Sequence, residues 1–278
     1  MPSVGSRIVG SIQSLAARSR LLVWFATKVR NQAASVVARS LTDGFDPATN
    51  GEDRLVAAVA PGASLLLDVG ANVGKYAASF LRLAPASARA ILFEPSSSAA
   101  AELRRRHGAD PRVEIREVAC GAAAGEATFH EEPAAGVTSS VVAGHSARGA
   151  VARRVEVVAL DDEMERRGID RIDLLKIDAE GYDAFVIEGA RRLLARRAIG
   201  VLQFEYNAPW LAAGRTLAGA IRLLEDAGYR TFLLRRRGLV AFDVARYGEF
   251  ASYANFVAVP FEGEAALGAA VEAATPAG

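Results

Sequence analysis

The sequence predicts a doubly wound α/β fold, in which a mainly parallel sheet carries helices on both faces. Short apolar runs alternate with helical patterns along residues 43–260, which is typical of consecutive βαβ units. Hydrophobic residues make up 51% of the 278-residue chain and charged residues 23%, the balance of a chain with a packed core. A chain of this length favours one large domain over several.

Residues 1–42 form a separate segment, a basic amphipathic helical arm. It contains no acidic residue, and its cationic residues are Arg7, Arg18, Arg20, Lys28, Arg30 and Arg39. Apolar residues recur in it at roughly helical spacing, but its longest apolar stretch is too short to span a bilayer. Two interpretations stay open. The helix either lies on an anionic membrane surface or packs across the main domain with its Arg side chains in water.

The main domain is predicted over residues 43–261. A short helix comes first, at residues 52–60, and is ended by Pro61 and Gly62. Strands are predicted at residues 64–69, 90–93, 113–119, 155–160, 172–177, 199–204, 231–234, 239–242 and 255–259. Helices are predicted between them at residues 76–83, 98–107, 161–167, 182–194 and 216–227. Parallel strands joined by helices make right-handed crossovers, so the chain is expected to wind to both sides of the sheet.

The C-terminal part departs from this alternation. Only residues 243–254 separate the last two strands, with no clear helix, so we expect an antiparallel hairpin at the sheet edge. Residues 262–278 are rich in Ala, Gly and Glu, and we expect a flexible tail with a short helix at most.

Composition excludes several functional classes. The formal net charge of +1 gives no indication of a nucleic-acid binder. The single cysteine, Cys120, excludes a disulfide framework and is compatible with the cytoplasm. Cationic residues are almost all Arg and Ala is abundant, which is typical of a GC-rich bacterial genome.

A glycine-rich turn follows the first predicted strand. The residues Asp68 to Gly74 read DVGANVG, and a helical pattern begins directly after them. Glycines at 70 and 74 permit a tight turn, and the helix that follows presents free N–H groups. A dinucleotide-binding turn would read Gly-x-Gly-x-x-Gly, whereas this turn carries an acid that would repel a pyrophosphate. The spacing therefore favours S-adenosylmethionine over a nicotinamide cofactor.

Glu94 stands at the end of the second predicted strand, directly before Pro95. In an open α/β sheet ligands bind beyond the carboxyl ends of the strands. Two carboxylate oxygens can accept hydrogen bonds from both hydroxyls of a ribose. We therefore expect Glu94 to hold the cofactor's ribose.

Several segments together resemble one known family. They are residues 65–76 (LLLDVGANVGKY), 91–95 (ILFEP), 118–125 (VACGAAAG), 160–161 and 174–181 (LLKIDAEG). In this order they are similar to the FkbM family of S-adenosylmethionine-dependent methyltransferases, over roughly residues 43–260. The resemblance implies a seven-stranded class I methyltransferase sheet whose last strand is antiparallel. It also implies that Asp68, Gly70, Asn72 and Gly74 line the methionine end of the cofactor and that Glu94 binds its ribose. Ala179 departs from the family, which more often has Val there, and the basic arm lies outside the match.

Candidate catalytic residues follow the two predicted strands at 172–177 and 199–204. They are Lys176, Asp178, Glu180 and Glu205, with Asn207 beside them. Three interpretations stay open. Asp178 or Glu180 is a general base whose pKa Lys176 tunes. Alternatively, Asp178 and Glu205 hold Mg²⁺ through oxygen ligands, or the residues form only an ion pair and a helix cap.

These features predict a methyltransferase acting on a hydroxyl oxygen of a small-molecule, glycan, glycolipid or polyketide-like acceptor. We place it in the cytoplasm, with peripheral membrane contact through the basic arm as an option. Alternatives are N-methylation of a similar acceptor, a non-catalytic cofactor-binding scaffold and, least favoured, a nicotinamide-dependent oxidoreductase.

Residues 131–154 are loop-like and are candidates for a lid in which Ser139 and Ser140 contact a ligand. Trp210 is either a sugar-stacking platform or, as is commoner, a core residue.

Overall fold

A computed structural model describes residues 13–132, 140–142 and 150–274 of the chain. The chain divides into two compact units, Met1–Leu41 and Thr42–Gly278.

The first unit contains one long helix, α1 (Arg20–Ser40). The hydroxyl of Ser19 accepts the backbone N–H of Leu22 and caps the N-terminus, while Arg39 lies in the last turn. Within this unit α1 buries none of its residues. No described helix is both long enough and apolar enough to cross a bilayer.

The second unit is built on an eight-stranded sheet with the order β10-β9-β11-β8-β7-β1-β2-β3. Its strands are β1 (Leu65–Val69), β2 (Arg89–Phe93), β3 (Val113–Arg116), β7 (Ile172–Ile177), β8 (Ile199–Tyr206), β9 (Tyr229–Arg235), β10 (Gly238–Ala241) and β11 (Ala254–Pro260). Neighbouring strands from β3 across to β8 are parallel, and β11 is antiparallel to both β8 and β9. The expected class I methyltransferase sheet with an antiparallel last strand is therefore confirmed, with one strand more than expected.

The predicted hairpin between the last two strands is wrong. β10 pairs with β9, and β11 lies between β9 and β8. Only two residues join β9 to β10, which closes a tight hairpin there, while the longer connection lets β11 return to the interior of the sheet.

Three further strands form a separate small sheet with the order β4-β6-β5. They are β4 (Ala119–Cys120), β5 (Gly125–Glu131) and β6 (Val151–Val158). The strand predicted at residues 155–160 thus belongs to this small sheet. A cluster of buried apolar residues (Ala119, Phe129, Val155 and Val157) holds it together.

Helices flank the main sheet. They are α2 (Pro47–Asn50), α3 (Glu52–Val59), α4 (Lys75–Leu83), α5 (Ser97–His107), α6 (Leu160–Arg166), α7 (Asp183–Glu188), α8 (Arg191–Ala195), α9 (Pro209–Ala212), α10 (Leu217–Asp226), α11 (Val244–Tyr247) and α12 (Glu264–Ala273). Leu66 and Leu67 on β1 point to opposite faces of the sheet and both are fully buried, so both faces are covered.

The C-terminal segment is more ordered than expected. A flexible tail with a short helix at most was expected from residue 262, and the structure contains a helix, α12, from Glu264 to Ala273. Leu267 and Val271, one helical turn apart, are buried in the core. The guanidinium of Arg54 donates to the carbonyls of Val271 and Glu272, which closes the end of the helix. Residues 275–278 lie outside the described part of the chain.

The register of β1 brings the carboxyl ends of three strands together. Asp68 on β1 lies beside Leu92 on β2 and Lys176 on β7. The loops that follow these strands therefore meet at one edge of the sheet.

Candidate active site

The loop after β1 makes a close turn against its two neighbouring strands. The N–H groups of Gly70 and Ala71 both donate to the carbonyl of Phe93, at 2.9 and 3.1 Å. Gly70 has a φ of +76°, and a Cβ there would lie 1.8 Å from the carbonyl oxygen of Asp178. Only glycine fits at this position, since any side chain would strain the turn and clash with the loop after β7.

Glu94 is buried where β2 ends. Its Oε2 accepts the backbone N–H of Asn72 and its Oε1 accepts that of Ser96, both at 2.8 Å. Burial raises the pKa of Glu94 to about 7, although these two hydrogen bonds oppose the shift. Each carboxylate oxygen has a second lone pair, so the side chain can still accept from a diol.

Two polar side chains of the glycine-rich turn have unmatched oxygens. Asp68 is fully buried, and neither of its carboxylate oxygens has a hydrogen-bond partner among the described residues. The same holds for Oδ1 of Asn72. Burial raises the pKa of Asp68 to about 6, and the charge of Lys176 limits the rise. Buried acceptors without partners are costly, which is the signature of a site that a hydrogen-bonding or cationic ligand completes.

A cavity that is partly open to solvent lies at this edge of the sheet. Its walls include Val69, Gly70, Asn72, Phe93, Glu94, Ser96, Ala99, Val118, Ala119, Cys120, Phe129, Val141, Asp178, Glu180 and Tyr182.

An ion pair between a buried lysine and a partly exposed aspartate lies at the cavity. The Nζ of Lys176 donates to Oδ2 of Asp178 at 2.9 Å and lies 5.2 Å from the ring centroid of Tyr76. Burial lowers the pKa of Lys176, but the charges of Asp178 and Asp68 outweigh burial and raise that pKa well above its ordinary value. Lys176 therefore stays a cation and holds the Asp178 carboxylate in place.

Further carboxyl groups crowd the same region. Burial and the charge of Asp178 raise the pKa of Glu180 to about 9, and they raise that of Glu205 well above its ordinary value. Burial likewise raises the pKa of Asp183 to about 7, although it accepts the backbone N–H groups of Ala179 and Gly181. A pKa of about 9 favours the protonated form of Glu180 at neutral pH.

Two of the four described non-glycine residues with a positive φ line the cavity. They are Asn72 (47°) and Glu180 (49°). Asn adopts this conformation with little strain, but for Glu it is uncommon. Strain held by surrounding contacts is a frequent property of functional sites.

The geometry does not support the magnesium interpretation. The described residues contain no group of three or more His, Cys, Asp or Glu side chains able to hold a metal ion. Glu205 accepts a hydrogen bond from the side-chain amide of Asn207, at 2.8 Å. Among the described residues no other side chain is recorded as donating to this carboxyl group.

Comparison with known proteins identifies the family. The model of the FkbM methyltransferase domain matches residues 68–231, which is more than half of the chain. The chain belongs to the FkbM methyltransferase family. The matched segment runs from the glycine-rich turn through the ion pair to β9, so it contains the site.

The individual proteins that resemble this chain share less than a third of their residues with it over the aligned segments. The 2-O-methyltransferase NoeI of Sinorhizobium fredii is 31% identical over 147 residues, which cover 48% of this chain and 59% of NoeI. The crystal structure of an FkbM methyltransferase from Methylobacillus flagellatus is 16% identical, with a TM-score of 0.43 over 70% of this chain and 43% of that one. Fibrillarin from Aeropyrum pernix, solved with natively bound S-adenosyl-L-methionine, is 13% identical, with a TM-score of 0.41 over 76% of this chain and 77% of that one.

The structure brings most of the sequence-predicted residues of this FkbM domain to one place. Gly70, Asn72, Glu94, Asp178 and Glu180 line the cavity. The other four stand behind it or beside it in the described part of the chain: Asp68, Gly74, Lys176 and Glu205.

Gly74 has a packing role in the structure. It has a φ of +78° at the start of α4, and a Cβ there would lie 2.5 Å from Nε2 of His107 on α5. It lets the two helices approach each other behind the loop.

Several cavity residues escaped the sequence analysis. Ser96 follows Glu94 too closely to form a separate motif, and Phe129 lies on the small sheet that had no clear strand pattern. Tyr182 was predicted to lie within a helix, whereas it precedes α7 and lines the cavity.

Trp210 is fully buried and serves as a core residue. Ser140 donates through its hydroxyl to the carbonyl of Glu180, whereas Ser139 and most of the predicted lid lie outside the described residues.

Proposed function

We propose that this chain is an S-adenosylmethionine-dependent methyltransferase that acts on a hydroxyl oxygen of a glycan, glycolipid or polyketide-like acceptor. One observation carries the proposal: a carboxylate paired with a buried lysine, Asp178, borders the same cavity as Glu94, which is built to bind a diol. Family membership supports methyl transfer, and the name of NoeI supports oxygen as the atom that accepts the methyl group.

The residues present fit the cofactor. Glu94 would accept from the two ribose hydroxyls, since both of its oxygens face cavity-lining backbone and keep free lone pairs. Asn72 and, behind it, Asp68 carry buried oxygens that find no hydrogen-bond partner within the described part of the chain, and these oxygens suit the ammonium of the methionine part. When bound, S-adenosylmethionine supplies a methyl group that its sulfonium already activates.

Asp178 is the general base in this proposal. Lys176 holds the Asp178 carboxylate toward the cavity, where it can accept a proton from the acceptor's hydroxyl. Glu180 is protonated at neutral pH and serves as a hydrogen-bond donor at the cavity wall. The protein's main contribution is to hold the acceptor oxygen in line with the methyl group, because positioning supplies much of the rate in such displacements.

A direct test measures S-adenosylhomocysteine formation with panels of oligosaccharides, glycolipids and glycosylated polyketides, comparing the native protein with Asp178→Asn. The proposal expects product with native protein only, and a methyl ether on the acceptor by mass spectrometry. A methylated nitrogen would shift the assignment to N-methylation. Cofactor binding with no product from any acceptor would favour the scaffold alternative.

The first unit supports a further proposal, peripheral contact with an anionic membrane surface. Leu21, Phe25 and Val29 recur every four residues along α1 and therefore share one face. The helix contains Arg20, Lys28, Arg30 and Arg39 and no acidic residue. This charge complements phosphatidylglycerol and opposes pairing with a second, equally cationic copy of the helix. Such contact would bring the enzyme to a lipid-linked acceptor on the cytoplasmic face.

Vesicle sedimentation tests this contact. The full chain is expected to sediment with phosphatidylglycerol vesicles and to stay in solution with phosphatidylcholine vesicles. Phe25→Ser should weaken sedimentation, whereas Val240→Ser, which changes an exposed apolar residue on β10, should not. Absence of sedimentation with both lipids would contradict the proposal.

A further inference from the structure

Three side chains form a layered stack beside the cavity. The ring of Tyr182 stacks on that of Phe185, with centroids 4.2 Å apart and an angle of 19° between the planes. The guanidinium of Arg215 lies 4.1 Å from the centroid of the Phe185 ring. We call these three side chains the Tyr182 stack. Tyr182 is the member that lines the cavity.

Contacts with α7 and α9 fix this stack. Arg215 pairs with Glu188 at 2.8 Å, and its backbone N–H donates to the carbonyl of Trp210, also at 2.8 Å. Gly181, directly before Tyr182, packs so closely on α9 that a Cβ there would lie 2.3 Å from Cβ of Pro209. The Tyr182 ring is therefore held before any ligand arrives, which lowers the entropic cost of binding to it.

The position of the ring suggests which ligand it meets. Tyr182 stands two residues after Glu180 and four after Asp178, and all three residues line the cavity. Phe185 covers one face of the ring, so the side turned to the cavity is the other face or an edge. An aromatic face with a hydroxyl at its rim binds a ligand that is apolar on one side and polar at its edges.

A pyranose ring has this character, since its C–H groups form an apolar face and its hydroxyls lie around the rim. We infer that the Tyr182 stack is a subsite for the apolar face of a pyranose in the acceptor. The inference rests on the proposed function and narrows its acceptor class to carbohydrate. Trp210, which the sequence offered as a sugar-stacking residue, is fully buried and has no face for a ligand.

The Tyr182 ring is also placed where it could contact the bound cofactor, and the experiment has to distinguish this role from acceptor binding. A Cβ at Gly121 would lie 3.1 Å from Cε1 of Tyr182, and Gly121 directly follows the cavity residue Cys120. Tyr182 is thus also near Cys120, which lines the cavity that would hold the cofactor. A residue that serves the acceptor alone leaves cofactor affinity unchanged when it is altered.

Saturation-transfer NMR on protein loaded with S-adenosylhomocysteine tests the subsite. The probes are the methyl pyranosides of glucose, galactose, mannose and rhamnose, because the method detects millimolar binding. The native protein is expected to transfer saturation to the C–H protons of at least one probe. Tyr182→Phe should keep this signal, and Tyr182→Leu should reduce it at least about fivefold, since it removes the aromatic face. Tyr247→Leu, which alters an aromatic stack on α11, is the matched control.

Calorimetric titration of S-adenosylhomocysteine on each variant completes the experiment. Unchanged affinity in Tyr182→Leu shows that the variant is folded and supports an acceptor subsite. A parallel loss of affinity would make the ring part of the cofactor wall and overturn the inference. No saturation transfer from the loaded native protein to any probe would overturn it too. Failure of the native protein to bind S-adenosylhomocysteine would instead be a failure of the proposed function.

Discussion

The backbone N–H of Asn72 donates to Oε2 of Glu94 at 2.8 Å and joins the glycine-rich turn after β1 to the end of β2. The two motifs that define the cofactor site are thus one hydrogen-bonded unit, and Asn72 takes a φ of 47° to complete it. Protonation of Glu94 would weaken this hydrogen bond and loosen the turn, because a carboxylate accepts a hydrogen bond more strongly than a protonated acid does.

The raised pKa of Glu94 predicts pH-dependent cofactor binding. A ribose diol donates to the carboxylate form, so protonation below a pKa of about 7 should weaken binding. From pH 8 to pH 6 we expect the Kd for S-adenosylhomocysteine to rise roughly tenfold, the effect of one proton competing with the ligand. Glu94→Gln should bind more weakly and show a flatter pH dependence in the same titrations. An equally steep dependence in the variant would assign the effect to another group.

Asp178→Asn should abolish proton removal and leave the cofactor site intact. We expect turnover to fall about 10²- to 10⁴-fold, the usual contribution of a general base, with the Kd for S-adenosylhomocysteine changed less than about threefold. Asp170→Asn, at a highly exposed carboxylate, is the control and should behave as the native protein does. Full activity in Asp178→Asn would remove this residue from the mechanism.

Glu180 should make the ligand-free protein less stable as the pH rises. Its pKa is about 9 in the folded chain against an ordinary value of 4.5, so the folded state binds the proton more tightly than the unfolded state does. Stability associated with Glu180 is therefore full below about pH 4.5 and is lost progressively toward pH 9.

Thermal unfolding across this range checks the sign. Glu180→Gln cannot ionise, so its Tm should exceed that of the native protein at pH 8.5 by several degrees, and the difference should shrink toward pH 5. A variant less stable than the native protein at pH 8.5 would contradict the raised pKa.

Gly70→Ala should be far more destabilising than another substitution at a similar backbone angle. Gly214 has a φ of +71° with nothing near its Cβ position, so alanine there costs only backbone strain, about 1–2 kcal/mol. At Gly70 the same strain is joined by a clash with the carbonyl of Asp178. Urea unfolding should separate the two variants clearly, and cofactor binding should survive only in Gly214→Ala. Equal stabilities of the two variants would mean that the loop after β7 moves away from the added Cβ with no loss of stability.

The sequence predicted the parts of the fold that depend on local pattern. The apolar run before Asp68 and the turn glycines placed β1 and the loop after it, and Glu94 was placed because it ends a strand. The order of β9, β10 and β11 depends on which strands pair with each other, and a local sequence pattern does not determine that pairing. A short helix at most was expected in the C-terminal segment, and its packing was not predicted, because an Ala- and Gly-rich segment gives no local sign that Leu267 and Val271 are buried in the core.

The site was predictable to a similar degree. Charged residues that follow strands were recognised, including Asp178 and Glu180. Tyr182 was not, because a single aromatic residue before a helix carries no periodicity and its role depends on its stacking with Phe185. An ion pair involving Lys176 was one of the interpretations that the sequence left open, but the raised pKa of Glu180 depends on burial that only the folded chain provides.

The central claim is that the cavity beside Glu94 binds S-adenosylmethionine, and calorimetric titration tests it most directly. S-adenosylmethionine and S-adenosylhomocysteine should each bind the native protein at one site with micromolar-range affinity, and Glu94→Ala should lose most of that affinity while unfolding at a similar temperature. Absence of binding by native protein shown to be folded would contradict the account and leave only the fold.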